Sequence, residues 1–167
     1  MPETRTIERA RRDKRAGKAA TTQAGEFVRE EMDHIREGTH GARSAKQAIA
    51  IGLSKARRAG VNLPAPRIGK ASEKTRRNAK RALRAGEHQR SVSATRSRAI
   101  TGALKRESRS AASTKSLARQ AKAAARRRPA SARSGSARKA VRTKGPAERG
   151  QGARKAARTR ARHRASR

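Results

Sequence analysis

Large apolar side chains are scarce in this chain, and half of them crowd into one short stretch. Of eighteen Val, Ile, Leu, Met and Phe residues, nine lie between Phe27 and Leu63 and only six lie beyond Ile68. Folding must offset roughly 1–2 kcal/mol of backbone entropy per residue. Eighteen such side chains cannot do that along all 167 residues. The distribution therefore predicts a small ordered unit and a long extension. Charge follows the opposite gradient. Residues 1–62 carry 14 basic and 8 acidic side chains, whereas residues 63–167 carry 33 and 4. Low hydrophobicity with a net charge of +35 is a signature of disorder.

The pattern predicts a mainly α chain in four parts. Residues 1–21 read as a flexible basic arm. Residues 22–68 read as a helical hairpin. In its first helix, residues 23–37, Ala24, Val28, Met32 and Ile35 share a face, Phe27 sits at its edge, and Gly38 is a left-handed cap. Ser44 and Gln47 form a capping box that starts a second helix, which runs to about Ala59 with Ala45, Ile49, Gly52, Leu53 and Ala56 on one face. Gly60 caps it, and Pro64 and Pro66 prevent continuation. Residues 69–128 read as marginal Ala/Arg/Lys-rich helices, capped by Ser72, Ser93 and Thr114 and ending at Gly86 in the first case. Residues 129–167 read as a disordered Arg/Ala-rich tail. Residues 46–55 and 97–106 share a faint echo, of the kind Ala-rich helices produce by chance.

Several function classes drop out. The chain has no Cys, so thiolate-ligated zinc and disulfide frameworks are excluded. The longest apolar run, residues 48–53, is far too short to span a membrane, and no secretory h-region is visible. His34, His40, His88 and His163 are scattered. Asp33, His34 and His40 come closest to a metal cluster, but they lie at a loop without a second carboxylate–histidine pair, so no metal, cofactor or catalytic residue is expected.

Polyanion binding is what remains. Each phosphate contact releases condensed counterions, and the cationic half has charge for about ten such contacts. The residues expected to make them are Arg43, Lys46, Lys55, Arg57 and Arg58 in the hairpin, and Lys74, Arg76, Arg77, Lys80, Arg81 and Arg84 in the helix that follows. Arg126, Arg127, Arg128, Arg138, Lys139, Arg154, Lys155, Arg158, Arg160 and Arg162 continue the series. One aromatic residue cannot build a base-stacking platform, which favours duplex DNA over single strands and leaves structured RNA as an alternative. The polar arc of the second helix, with Lys46, Gln47, Lys55, Arg57 and Arg58, is a candidate base reader, interrupted by Ile51.

Glu26, Glu30, Asp33 and Glu37 fall within about 60° on a wheel of about 100° per residue. They form either a solvated face or a docking face for the chain's own tail or a second copy.

Residues 44–60, SAKQAIAIGLSKARRAG, preceded by EFVREEMDHIREGTHGARS at 26–44, resemble a family of small basic bacterial and phage proteins of unknown function with a KQAIAI-type helix. The resemblance implies a bacterial cytoplasmic setting and DNA binding by association, and brings no catalytic residues. The tail is similar in composition to bacterial histone H1-like nucleoid proteins, although it is richer in Arg than in Lys. The expectation is thus non-sequence-specific binding of double-stranded DNA in an architectural, nucleoid-associated role, without membrane or catalysis. An RNA- or ribosome-associated protein, or an interaction module with a recruiting tail, is the alternative.

Overall fold

A computed structural model describes residues 2–88, 93–143 and 145–165. Within them the chain is mainly α, with no strand. It divides into two units, Met1–Gln120 and Ala121–Arg167, and the division falls inside the sixth helix.

The first unit is built around α2 (Ala20–Glu37), with α1 (Thr4–Arg15) and α3 (Ala45–Arg58) packed on it and α4 (Glu73–Glu87) packed on α3. α2 ends at Gly38, whose φ of 84° is the left-handed conformation that glycine adopts without strain. Ser44 caps α3 by accepting a hydrogen bond from the Gln47 N–H. Gln47 returns the bond one residue earlier than a standard capping box, to the Arg43 N–H at 3.0 Å. The hairpin is closed tightly because Gly52 has no side chain: a Cβ there would lie 2.7 Å from Val28 Cα.

Two apolar clusters result. The first joins Ala10 of α1 to Ala24 and Phe27 of α2, Ala56 of α3, and Val61 and Leu63, with Ile7, Ala20 and Leu53 at its margin. The second joins Met32 and Ile35 to Ala42, Ala48, Ala111 and Ala112, with Val28, Ile49 and Leu117 around them. Burying each large member contributes roughly 1.5–3 kcal/mol.

The N-terminal arm is where the structure departs first from expectation. Residues 4–15 form α1, with Thr6, Ala10 and Asp13 buried on one face. Ala10 and Ile7 complete the first cluster, and Arg9 pairs with Glu26, so this segment has both apolar and ionic reasons to dock.

The segment after α5 (Ala94–Lys105), which its composition marks as marginal, closes the second cluster. A 3-10 turn at Arg109–Ala112 inserts two alanines there. The hairpin loop donates to the end of α5 and to the segment after it, Gly41 N–H to Leu104 O at 2.9 Å and Ala42 N–H to Ser108 O at 3.1 Å. Gly41 backs directly onto the Glu107 carbonyl, which leaves no room for a Cβ. The helix after the turn, α6 (Thr114–Arg126), is capped by Ser113 rather than Thr114, because the Ser113 hydroxyl takes the Ser116 N–H. Helix α4 runs on through Gly86 to Glu87, and Gly86 lies against the Arg57 carbonyl.

In the second unit the residues expected to be disordered are described as helix: α7 (Ala130–Thr143) and α8 (Pro146–Ala165). The cause is local. Ala, Arg and Lys are strong helix formers, and Pro146 occupies the first helical position, where its missing N–H costs nothing.

Candidate nucleic-acid interface

The expected phosphate-binding residues separate into two groups once their surroundings are known. Arg57 belongs to the interior. It is only 6% exposed and donates to the carbonyls of Leu63, Pro64 and Leu53 at 3.0, 3.2 and 3.4 Å. Its guanidinium thus ties the chain after Gly60 back onto α3. Burial pushes its pKa below the ordinary arginine range. Lys55 also turns inward, with Nζ 2.7 Å from Glu31 Oε2 and 3.4 Å from Glu30 Oε1. Arg76 is partly held by the Pro66 carbonyl and by Glu73. With Lys55 half-buried and ion-paired, Arg57 buried as a clamp and Gln47 engaged as a cap, the base-reading arc of α3 reduces to Lys46 and Arg58, both exposed. Ile51, in the same arc, is half-buried.

The outward group is larger. Arg43, Lys46 and Arg58 are exposed around the hairpin, and Lys74, Arg77, Lys80, Arg81 and Arg84 are exposed along α4, whose inner face holds Ala79 and Ala82. Arg126 and Arg127 stand exposed at the end of α6. Arg128 reaches the Ala132 carbonyl and the Ser136 hydroxyl at the start of α7, while Arg138 and Lys139 lie on its surface. On α8, Arg154, Lys155, Arg158 and Arg162 line one shallow depression with Gln151 and Thr159, and Arg160 projects from another side. Arg154, Arg158 and Arg162 recur every four residues, and Lys155 precedes Arg158 by three, so the four cations share one side of the helix.

The acidic residues are distributed in a complementary way. Among residues 121–167 there are 17 basic side chains and one acidic one, Glu148. In the first unit, the acidic face of α2 is covered in large part by the chain's own N-terminal helix. Arg9 Nε lies 2.9 Å from Glu26 Oε2, and the Glu3 N–H donates to Glu30 Oε2 at 3.2 Å. Lys18 closes on the buried Asp13 at 2.6 Å. Glu3 also meets His34 Nε2 at 2.8 Å. That hydrogen bond, helped by the charges of His34, Arg9 and Lys55, holds the Glu3 carboxyl below its ordinary value of 4.5. Asp33 pairs with Arg36 on the same helix, at 3.2 Å, and Glu37 is exposed.

Sequence reasoning missed Glu31, which is fully buried. The signal was present: at about 100° per residue Glu31 falls between Phe27 and Ala24, inside the apolar stripe of α2. It also missed Ala111 and Ala112, where an Ala-rich segment offers no contrast to read.

A family model described as a family of unknown function (DUF6496) matches residues 11–67. The matched stretch takes in the end of α1, all of α2 and α3, and the Arg57-clamped chain that follows. No curated protein and no solved structure matches the chain.

Proposed function

We propose that this protein binds double-stranded DNA through the phosphate backbone, without base preference, in an architectural role of the nucleoid-associated kind. The observation that carries the reading is the exposed cationic surface of α7 and α8, with one acidic side chain to compensate it. Each Lys or Arg that meets a phosphate liberates counterions, so such a surface gains affinity from charge alone. The sole aromatic, Phe27, is 1% exposed and packs in the first cluster, so no ring is offered to unstacked bases. The loss of a base-reading arc on α3 points the same way. The resemblance of residues 44–60 to small basic bacterial and phage proteins, and the compositional likeness of the tail to histone H1-like proteins, fit a bacterial nucleoid setting. In this reading the role is binding rather than catalysis, and self-association or tail docking on α2 is left to Asp33 and Glu37.

The test is a salt series of duplex DNA affinity, measured by fluorescence anisotropy on the full chain. Replacing Arg154, Lys155, Arg158 and Arg162 together by Gln lowers the slope of log affinity against log salt by about 3–4, since each contact contributes about 0.9. Arg57→Gln leaves the slope unchanged. Absence of binding near physiological salt, or an unaltered slope in the fourfold variant, overturns the proposal. Preferential capture of structured RNA in competition would favour the RNA-associated alternative.

A further inference from the structure

We propose that Glu31, His34 and His40 form a binding site for a divalent transition-metal cation. Each offers one ligand atom, and the three atoms lie within 4.8 Å of one another. Glu31 and His34 stand three residues apart on α2, hence on the same side of the helix. The Gly38 turn brings His40 back over them, and the two rings sit edge to face with centroids 6.2 Å apart.

The state of Glu31 is the second observation. Its side chain is fully buried, and among the described residues its Oε1 receives no hydrogen bond. Oε2 has the Lys55 ammonium at ion-pair distance, 2.7 Å. Oε1 faces His40 Nε2 at 3.5 Å. The other nitrogen of that ring, Nδ1, lies 3.1 Å from the Gly41 carbonyl oxygen. A carbonyl only accepts, so in the tautomer that carries its proton on Nδ1 the Nε2 lone pair faces Glu31 Oε1. In that tautomer a cation between the two atoms meets both lone pairs, and their 3.5 Å separation leaves it room. A backbone carbonyl behind a histidine is also the common outer-shell arrangement for an imidazole ligand.

Charge agrees. Three carboxylates, Glu3, Glu30 and Glu31, converge on this region, and Lys55 is the cation in direct contact with two of them, Arg9 being paired with Glu26. Three carboxylates set against one ammonium leave room for the charge of a doubly charged ion. One carboxylate and two imidazoles suit zinc, cobalt, iron or manganese rather than a soft monovalent ion. The sequence sets Asp33 beside the two histidines and offers no reason to expect a metal there. The cluster uses Glu31 instead, while Asp33 faces Arg36.

The experiment uses full-length protein stripped with chelator. Co2+ is titrated while its visible d–d bands are followed, and Zn2+ is titrated by calorimetry and by displacement of cobalt. One equivalent is expected to bind. His40→Ala, which removes a loop side chain, weakens binding at least about tenfold, the scale on which even outer-shell losses act, while helix content by circular dichroism is retained. His34→Ala and Glu31→Gln do the same, and if Glu31→Gln fails to fold the two histidine variants still decide. The double variant His88→Ala, His163→Ala binds as the parent does. Lack of a one-to-one complex, or binding that survives His40→Ala and is lost in the His88/His163 variant, overturns the proposal and leaves a protonated His40 as the partner of Glu31.

Discussion

Helices α2 and α8 are of similar length and both carry rows of charge, but they meet opposite fates. α2 presents acids, and α1 and α3 bring Arg9, Lys55 and the Glu3 N–H to them while Phe27, Met32 and Ile35 fill the other side. α8 presents arginines and lysines with Glu148 alone to oppose them and no large aliphatic residue, so its cations stay in water. A helix of this chain joins a core when it carries an apolar stripe, and α2 adds to its stripe the acids that the basic helices beside it pair with. Otherwise it remains a scaffold for display.

The strongest way to break this contrast is to remove the anchor on one side only. Phe27→Ala costs the first unit about 3–5 kcal/mol, read by chemical denaturation under circular dichroism. Thr159→Pro, in the interior of α8, costs about 3 kcal/mol of local helix propensity. It leaves the denaturation midpoint of the first unit unchanged. A shift of that midpoint by Thr159→Pro would show that the two units unfold as one.

A finer division runs between adjacent arginines. Arg57→Ala leaves three carbonyls without their donor and destabilises by about 1–3 kcal/mol. Arg58→Ala, one residue on and exposed, stays within about 0.5 kcal/mol and lowers DNA affinity instead. Equal effects of the two substitutions on thermal unfolding would remove the distinction between interior clamp and surface cation.

The smallest effect concerns the acid pairing itself. Glu3 titrates below its ordinary value of 4.5 because His34 holds it. A carboxyl depressed in the folded state contributes stability that is complete above 4.5 and disappears as pH falls through the lower folded value. The melting temperature of the parent protein therefore exceeds that of Glu3→Gln near neutrality, and the gap closes on acidification. A gap that widens in acid would contradict the pairing.

Much of the hairpin could be read directly, because Gly38, Ser44 and the stripes of α2 and α3 state their roles locally. So do the caps Ser72 and Ser93. The docking of α1 was hidden because Ile7 alone marked its inner face, and Thr6, Ala10 and Asp13 look like solvent-facing residues until α2 is beside them. The same holds for the candidate surface. Arg57 and Arg58 are identical in sequence terms, and only the course of Leu63 and Pro64 decides which faces inward.

The seal between Gly41 and the stretch from Leu104 to Ser108 has a consequence for how the molecule is made. Its partners are about sixty residues apart, so the contact forms late, after local helices have already appeared. A nascent chain cannot shut the turn until Ser108 has left the ribosome, nor complete the cluster until Ala112 has followed. Until then Met32 and Ile35 wait with one side open. A fragment cut at residue 67 would stay in that condition permanently, soluble by charge but missing the plug that finishes its second cluster.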